Sequence, residues 1–365
     1  MTRVAAVVEQ CWHAVPGGTA ISTNAQLAAV LALDDAPDLV GVAARHRQPP
    51  PADLVPPVPV RQALLPRRAL YAGWLWARRP SVESITGPVD VVHATSAAVP
   101  PTTAPLVVTV HDLAFLHFPD HASRNGQRFF ERSWQITKRE ADLVLCPSRA
   151  TADDCVAHGL SAERTRVVPW GVHAVEPSTE QIAALRRRHG LGDEFVLFVG
   201  TVEPRKNLRR LVSALQHLGA TAPLLVVAGP AGWDDDIASI TAPLGERVRT
   251  IGYLPAADLP ALHAAATVFA WPSLLEGFGL PVLDAMAQGV PVITSAGTAT
   301  EEVVGAGGVC VDPRSVDAIA DAVGDLIASP QLRSHLGAAG RARAASYTWQ
   351  RTAELTAAAY RELAR

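Results

Sequence analysis

Short runs of β-branched and aromatic residues alternate along the chain with longer segments in which apolar residues recur at helical spacing. The short runs predict strands over Val4–Val8, Leu39–Ala43, Val89–His93, Leu106–His111, Leu143–Cys146, Arg166–Val168, Phe195–Val199, Leu224–Ala228, Arg247–Ile251, Val268–Trp271, Val290–Thr294 and Gly308–Val311. The longer segments predict helices over Arg124–Glu140, Arg149–His158, Leu208–Leu218, Ala256–Ala264, Pro281–Gln288, Val316–Ala328 and Trp349–Arg365. This alternation is typical of parallel sheets with right-handed crossovers, so we expect an α/β protein with two Rossmann-like domains facing each other.

The length of 365 residues also suits two domains. The boundary is expected near Val167–Val172, before the polar stretch Glu176–Glu180. The predicted domains are residues 1–172 and 173–348, and residues 349–365 form a last helix that packs back toward the first domain. Six prolines in Pro49–Pro59 exclude a helix there.

Composition excludes several classes of protein. The net charge is −3, without the basic excess of a nucleic-acid-binding protein. The four cysteines lack the spacing of a zinc site or a disulfide framework. No run of 18 apolar residues occurs, and Glu9 interrupts the first apolar run, so neither a membrane span nor a signal peptide is expected. We therefore expect a cytoplasmic enzyme.

Ligands of open α/β sheets bind beyond the carboxyl ends of the strands. The stretch PGGTA, Pro16–Ala20, follows the first predicted strand and precedes a helix. Gly17 and Gly18 would let backbone N–H groups approach an anion at the helix N-terminus. The alternative is a flexible turn in which Thr19 caps the helix.

The stretch VGTVEPRKNLRRL, Val199–Leu211, also leads from a strand into a helix, which Asn207 is expected to cap. Arg205 and Lys206 would then lie at a helix N-terminus, where the helix dipole disfavours each cation by roughly 0.3–1 kcal/mol. A bound diphosphate would offset that cost. Neutralisation by Glu203 is the structural alternative.

The stretch EGFGLPVLDAMAQGVPVI, Glu276–Ile293, follows the strand that ends at Trp271. Glu276 is expected on the loop, at the mouth of a helix that begins with Pro281, and Asp284 within that helix. This placement suits two carboxylates that hold two parts of one long ligand. Alternatively, both acids simply complement the helix dipole.

His111 in TVHDL, Thr109–Leu113, ends a predicted strand and would face the same edge of its sheet. Two acidic stretches compete with these candidates. Asp234–Asp236 has the spacing of a metal-binding motif, but helix capping is the better interpretation. Asp153–Asp154 lies within a predicted helix, where solvation alone accounts for it.

Taken together, these motifs resemble the retaining GT-B glycosyltransferases of family four. The resemblance covers nearly the whole chain and rests on Glu276–Ile293, GTVEPRKN, TVHDL and the WGV at the domain junction. The residues HDLAFLHFP are most similar to the mannosyl- and rhamnosyltransferase branch. The resemblance implies a GT-B fold, with two Rossmann-like domains facing across a cleft, and transfer of a hexose, with mannose favoured.

The resemblance also implies a role for each candidate residue. Arg205 and Lys206 would hold the diphosphate oxygens of a nucleoside diphosphate sugar. Glu276 would bind hydroxyls of the donor sugar, His111 would contact the sugar near the reacting carbon, and Asp284 would hold the ribose. The remaining donor-binding residues would be Gly17, Gly18, Gly200, Glu203, Tyr253, Leu254, Gly277, Phe278, Gly279 and Leu280.

Asp284 departs from the family pattern, which usually has glutamate at this position. Aspartate is one methylene shorter, and we still expect activity. The resemblance implies a front-face reaction without a metal or another cofactor, in which fixed positive charge stabilises the departing diphosphate.

The acceptor, a glycan or a lipid-linked glycan, is expected to bind the first domain. Arg124, Arg128 and Arg132 form a basic stripe, and Arg67–Arg79 mixes arginine pairs with Trp74 and Trp76. Such segments suit peripheral contact with an anionic membrane, at the inner face of the cell membrane. A solvated face over core aromatics is the simpler interpretation.

Two other functions remain open from the sequence. A sugar epimerase or phosphorylase of the same fold would release or isomerise the sugar without an acceptor. A non-catalytic subunit would bind the nucleotide sugar and never transfer it.

Overall fold

The computed structural model describes residues 1–13, 17–121, 123–173, 175–230 and 236–364. These residues form two compact units: one is Met1–Gly171 together with Thr348–Arg365, and the other is Val172–Tyr347. Each unit has its own parallel sheet, in agreement with the predicted α/β class. None of the helices in the described ranges is both long enough and apolar enough to cross a bilayer.

The first unit is built on a seven-stranded sheet in the order β3-β2-β1-β4-β5-β6-β7. Its strands are β1 (Arg3–Val7), β2 (Asp38–Ala43), β3 (Val60–Gln62), β4 (Val91–Ala94), β5 (Leu106–Thr109), β6 (Leu143–Cys146) and β7 (Thr165–Val167). Its first helices are α1 (Gly17–Leu31), α2 (Arg67–Ala72), α3 (Glu83–Thr86), α4 (Ala114–His117), α5 (Arg124–Glu140) and α6 (Arg149–Ala157).

The second unit has a six-stranded sheet in the order β10-β9-β8-β11-β12-β13. Its helices and strands follow in chain order as α7 (Thr179–His189), β8 (Phe195–Val199), α8 (Leu208–His217), β9 (Leu224–Ala228), α9 (Ile237–Thr241), β10 (Val248–Gly252), α10 (Leu259–Ala265), β11 (Val268–Trp271), α11 (Leu280–Ala287), β12 (Val292–Ser295), α12 (Ala299–Val304), β13 (Gly308–Val311), α13 (Val316–Ala328) and α14 (Pro330–Ala344). The last helix, α15 (Trp349–Leu363), belongs to the first unit.

Both faces of the first sheet are buried, which explains why its strands are almost continuously apolar. Alternate residues of β1 enter opposite cores: Ala5 and Val7 lie on one face, and Val4 and Ala6 on the other. Helix α15 covers the second of these faces, where Tyr360 is buried and its hydroxyl lies 2.7 Å from Nδ1 of His93.

The strand order of each sheet reverses direction once, between β1 and β4 and between β8 and β11. Loops that leave the carboxyl ends of two such strands diverge around a crevice, which is the usual ligand-binding position in open parallel sheets. The Arg205–Lys206 segment follows β8, and the Glu276 segment follows β11. The fold therefore brings two of the predicted motifs to one switch point.

The hydrophobic pattern did not predict several elements, mostly short ones, and three of them are instructive. Strand β3 is a three-residue edge strand with a single apolar residue, Val60. Helix α7 begins at a capping box formed by Ser178 and Gln181, inside a stretch read only as polar. Helix α14 is rich in alanine and arginine and has no strong apolar stripe, although its proline follows a capping serine, Ser329.

Candidate functional site

Hydrogen bonds to the backbone of Arg205 join the loops that follow β8 and β11. Its carbonyl oxygen accepts hydrogen bonds from the Leu274 N–H at 2.7 Å and from the Ser273 hydroxyl at 3.0 Å. Because these bonds fix the backbone on both sides, the side chains of Arg205 and Glu276 start from defined positions.

Asn207 also joins these loops through hydrogen bonds. Its predicted role as the side-chain cap of α8 is wrong. The residue is buried in the left-handed conformation at φ 64°, and its side chain makes no capping bond to the helix. Its Nδ2 instead donates to the carbonyl oxygens of Pro272 at 2.8 Å and Pro313 at 2.7 Å. The asparagine therefore holds the β8 loop against two other loops of its unit.

Arg205 and Lys206 lie in a 3-10 turn, Pro204–Lys206, that precedes helix α8. Lys206 Nζ lies 2.6 Å from Glu276 Oε1. Arg205 contacts Glu276 Oε2 at 3.3 Å and Glu203 Oε1 at 3.0 Å. We call these four residues, Glu203, Arg205, Lys206 and Glu276, the charge cluster.

The charge cluster contains two cations and two carboxylates, so the chain itself neutralises the cations. Glu203 neutralises part of the charge of Arg205, as the structural alternative for this stretch predicted. Burial disfavours the ionised Glu276, but Lys206 and Arg205 outweigh that effect and lower the pKa of Glu276 to about 2. Burial and the charge of Arg205 lower the pKa of Lys206. Glu276 is therefore a fixed anion with 8% of its side chain exposed.

Trp271, at the carboxyl end of β11, also contacts Glu276, and it was not among the predicted site residues. Its Nε1–H donates to Glu276 Oε1 at 3.0 Å, and Lys206 Nζ lies 4.9 Å from the centre of its ring. Gly200 makes room for that ring, because a Cβ atom there would lie 2.4 Å from the indole. The signal in the sequence was an aromatic residue with an N–H donor at the end of a strand.

The turn between the two carboxylates depends on Gly279. Its φ of 105° is a conformation that side chains rarely adopt, and a Cβ would lie 2.6 Å from the methyl group of Thr300. Gly277 is buried, and Phe278 points into the core, where its ring lies 5.7 Å from that of Tyr347. Leu280 then begins α11. The turn thus presents backbone rather than side chains.

Asp284 lies in the second turn of α11 and is partly buried. Burial raises the pKa of its carboxyl group to about 7. No described residue donates a hydrogen bond or offers an opposite charge to this carboxylate. It differs from Glu276 in this respect, although both were predicted as ligand-binding acids.

Tyr253 and Leu254 follow β10, the edge strand of the second sheet. The tyrosine is 66% exposed and Leu254 is buried. Gly252 precedes them with φ 68°, which turns the chain away from the sheet. They lie beyond the carboxyl end of their strand, and their contact with the nucleobase stays a prediction.

Helix α1 of the first unit begins at Gly17, which has φ 58°, whereas Pro16 lies outside the described residues. Gly17 and Gly18 are exposed, and a Cβ added to either would meet no atom within 4 Å. Their backbone is therefore approachable. Thr19 lies inside the helix, so it is not the N-cap that the alternative interpretation required.

His111 follows β5 by two residues, so the predicted strand ends earlier, at Thr109. One ring nitrogen, Nε2, lies 2.8 Å from the carbonyl oxygen of Thr95 and donates to it. Burial lowers the pKa of the imidazole despite that bond, so the ring is neutral. Its Nδ1 is buried and has no hydrogen-bond partner among the described residues.

The two acidic stretches that competed with these motifs differ. Asp236 caps α9 by accepting from the Ala238 N–H at 3.1 Å, while Asp234 lies outside the described residues. The expectation that solvation alone accounts for Asp154 is wrong. Its carboxylate accepts hydrogen bonds from His117 and contacts His158.

The aromatic and basic segments of the first unit divide into buried and exposed members. Trp74 is buried and donates to the Pro80 carbonyl oxygen, whereas Trp76 is 63% exposed. The guanidinium carbon of Arg132 lies 5.4 Å from the centre of the Trp76 ring, and Nε of Arg132 donates to the Leu75 carbonyl oxygen. Only part of the predicted surface is therefore available to a membrane.

Two family models match the chain. The model of the glycosyl transferases group 1 matches residues 181–343, and the model of Glycosyltransferase Family 4 matches residues 16–175. Each match coincides with most of one structural unit.

Several mannosyltransferases are among the proteins that are similar in sequence. The O-antigen chain mannosyltransferase B of Escherichia coli is 32% identical over 75% of this chain and 74% of its own length. The GDP-mannose-dependent alpha-(1-6)-phosphatidylinositol monomannoside mannosyltransferase of Mycolicibacterium smegmatis is 37% identical over 55% of this chain. The MMP alpha-(1->4)-mannosyltransferase of Mycolicibacterium hassiacum is 31% identical over 65%. The matched regions span 57% and 58% of the two mycobacterial proteins.

Solved structures share the fold at lower identity. The chain aligns with Anabaena HepE in complex with UDP and glucose at a TM-score of 0.78 and 20% identity, over 100% of both chains. Sucrose-phosphate synthase from Thermosynechococcus elongatus gives 0.79 and 22%, over 100% of this chain and 99% of its own. The expected GT-B fold is thereby confirmed.

Proposed function

Because this chain belongs to the group 1 glycosyltransferases of family four, we propose that it moves a hexose from a nucleoside diphosphate sugar to an acceptor hydroxyl with retention of configuration. Mannose from GDP-mannose is the favoured donor group, since the similar relatives are named as mannosyltransferases and one of them as GDP-mannose-dependent. The acceptor is a glycan or a lipid-linked glycan of the cell envelope.

The observation that carries this proposal is the contrast between the charge cluster and Asp284 on one continuous loop and helix. Glu276 is fixed by Lys206, Arg205 and Trp271, and a lone pair of its Oε2 remains for a sugar hydroxyl. The Asp284 carboxylate has no partner among the described residues, so we propose that its oxygens accept the two ribose hydroxyl groups. Together they suit the sugar and ribose ends of one donor.

Departure of the diphosphate is the step that the charge cluster assists. The bond between the anomeric carbon and the diphosphate oxygen breaks, and the acceptor oxygen bonds to the same face of that carbon. The acceptor proton passes to the departing phosphate oxygen. Arg205 and Lys206 stabilise the charge that grows on this phosphate, and Glu203 and Glu276 hold both cations in place beforehand.

His111 contributes a neutral ring in a fixed tautomer. Since Nε2–H is committed to Thr95, the lone pair on Nδ1 is the free acceptor, and we propose that it accepts a hydrogen bond from a hydroxyl of the donor sugar. Nδ1 is shielded in the free protein, so this contact requires a local opening around the ring.

A donor screen tests the proposal. Thermal unfolding is measured with GDP-, UDP- and dTDP-sugars, and transfer is then followed with oligosaccharide and lipid-linked acceptors in EDTA and in Mg²⁺. We expect stabilisation by GDP-mannose, a product whose anomeric configuration by NMR matches that of the donor, and equal rates in the two buffers. An isomerised nucleotide sugar, or release of the sugar without an acceptor, would instead identify an epimerase or a phosphorylase.

Peripheral membrane contact is a separate proposal that rests on exposed apolar and basic residues of the first unit. Leu64 is 88% exposed, Trp76 63% and Phe130 36%, and Arg67 and Arg68 lie between Leu64 and Trp76 in the sequence. Sedimentation with liposomes measures this contact. We expect binding to vesicles that contain anionic lipid, and weaker binding after Trp76→Ser; equal sedimentation with neutral vesicles argues against it.

A further inference from the structure

Two histidines and one aspartate form a compact group on the surface of the first unit. His117 Nε2 lies 2.9 Å and 3.0 Å from the two carboxylate oxygens of Asp154. His158 Nδ1 lies 3.1 Å from Asp154 Oδ1. One ligand atom from each of the three residues lies within 4.8 Å of the others.

The local structure explains why the group forms. Asp154 and His158 are four residues apart at the end of α6, so they share one face of the helix. His117 ends α4, the short helix that follows the His111 segment. The group therefore joins two segments that are separated in sequence by almost forty residues.

We propose that His117, Asp154 and His158 bind a divalent transition-metal ion, with Zn²⁺ as the preferred ion. Two imidazoles and a carboxylate match the ligand preference of zinc, whereas Mg²⁺ prefers oxygen ligands and retains its water. This site is independent of donor binding and of the expectation that sugar transfer needs no metal. Its members lie in α4, in α6 and directly after α6 rather than in the loops that carry the charge cluster.

The observed spacing requires little adjustment for metal binding. In a tetrahedral zinc site with bonds of about 2.0–2.1 Å, neighbouring ligand atoms lie roughly 3.3 Å apart. The nitrogen-to-oxygen distances here are 2.9–3.1 Å, so each histidine needs to move only slightly relative to Asp154. The two histidine nitrogens lie within 4.8 Å of each other and need to reach a similar spacing. Binding through Nδ1 of His158 replaces its 2.9 Å hydrogen bond to the Asp154 carbonyl oxygen.

Access is sufficient for an ion to enter from solvent. The side chains of His117, Asp154 and His158 are 37%, 22% and 35% exposed. Three protein ligands leave a fourth position for water. The bound ion would link α4 to α6 and so restrict the segment that begins at His111, which makes its role structural rather than catalytic.

The test measures metal binding directly on the full chain. Protein stripped with a chelator is titrated with ZnCl₂ alone by calorimetry, and with CoCl₂ while the visible absorption of bound cobalt is recorded. We expect one ion per chain, a tetrahedral cobalt spectrum, and a rise of several degrees in Tm with zinc but none with MgCl₂. His117→Ala and His158→Ala should each weaken zinc binding at least tenfold.

His217→Ala is the matched control, because His217 lies 3.6 Å from Asp317 in an exposed pair that lacks a second histidine. It should leave zinc binding unchanged. Should a histidine variant fold poorly, Asp154→Asn provides a second variant, with circular dichroism as the check on folding. Absence of stoichiometric zinc binding, or binding that survives His117→Ala and His158→Ala, overturns the proposal and leaves a hydrogen-bonded triad.

Discussion

Glu276 and Asp284 lie eight positions apart on one loop and helix, yet their surroundings differ in almost every respect. Glu276 contacts Lys206, Arg205 and Trp271, and the charges of Lys206 and Arg205 hold its pKa at about 2 although it is buried. Asp284 has no such partner among the described residues, and burial raises its pKa to about 7. One carboxylate is stabilised by the protein, and the other is left to be stabilised by something else.

This difference shows how a single motif combines preorganisation with binding. The charge cluster is complete without a ligand, so its orientation is fixed during folding and costs nothing more during the reaction. Asp284 is held at the expense of stability, which is a common property of groups whose partner is a ligand. Four predictions can break or sharpen this comparison, and they follow in order of decreasing expected effect.

The largest effect is expected from Lys206→Ala. Loss of a fixed cation at the departing phosphate should lower kcat by about 10²–10³-fold. Removal of one partner from a buried ion pair should also lower the free energy of unfolding by about 3 kcal/mol, although Arg205 still neutralises part of the Glu276 charge. Single-turnover kinetics with GDP-mannose and denaturant unfolding measure the two effects.

The control for this variant is Lys138→Ala, since Lys138 is the other lysine of the chain and lies over Trp134 in the first unit. It should leave kcat unchanged. A near-normal kcat for Lys206→Ala would show that the charge cluster is structural only, and Glu276 would then lose its proposed catalytic importance.

The sequence predicted the two sheets and the positions of both carboxylates because these depend on local patterns. Buried parallel strands are continuously apolar, and the glycine turn before α11 is visible as GFG. The side chains that position Glu276 and its loop could not be predicted from the sequence. Trp271 donates to Glu276 across five positions of the chain, and Asn207 bonds to Pro272 and Pro313 rather than capping its own helix. Long-range contacts of this kind leave no periodic signal.

The second prediction concerns Asp284→Asn, which should weaken nucleotide binding by about 10–100-fold. A hydrogen bond from a ribose hydroxyl to a carboxylate contributes about 1.5–3 kcal/mol, whereas one to a neutral amide contributes about 0.5–1.5 kcal/mol. Because the ionised form is the acceptor, affinity of the wild type should rise as pH increases through about 7. Titration calorimetry with GDP-mannose between pH 6 and 8 checks this, because its diphosphate, unlike that of free GDP, has no terminal phosphate that titrates in this range. The variant should show no such rise.

The same substitution should increase stability, and this increase should depend on pH. The folded pKa of Asp284 is raised above its unfolded value, so its contribution to stability is present below about pH 4 and is lost as pH rises through 7. The variant should therefore unfold at a higher Tm than the wild type, by a margin that grows from pH 5 to pH 8. Asp321→Asn on α13, an exposed position, is the matched control and should leave Tm unchanged. A destabilised Asp284→Asn would show that the carboxylate has a structural partner after all.

The third prediction is a decrease of about tenfold in kcat for Trp271→Phe. The variant loses the N–H bond to Glu276 Oε1, worth about 1.5–3 kcal/mol for a charged acceptor, but keeps an aromatic ring near Lys206. The pKa of Glu276 stays low because both cations remain. Trp74→Phe loses a buried N–H bond to the Pro80 carbonyl oxygen in the other unit, so it should lower Tm without affecting kcat.

The smallest effect is expected from Gly18→Ala. This variant tests whether the turn at the start of α1 contributes to donor binding in addition to the charge cluster and Asp284. A Cβ at Gly18 meets no protein atom within 4 Å, so Tm should remain the same or rise slightly. If the backbone of this turn approaches the diphosphate, the added methyl group should raise the KM for GDP-mannose several-fold.

Gly324→Ala in α13, where the nearest atom is a Leu218 methyl group at 3.5 Å, is the control for a helical glycine remote from the charge cluster in sequence. An unchanged KM for Gly18→Ala would mean that recognition of the diphosphate depends on Arg205 and Lys206, the same cations that hold Glu276. Weakening of the Glu276 contacts should then weaken donor binding as well as turnover.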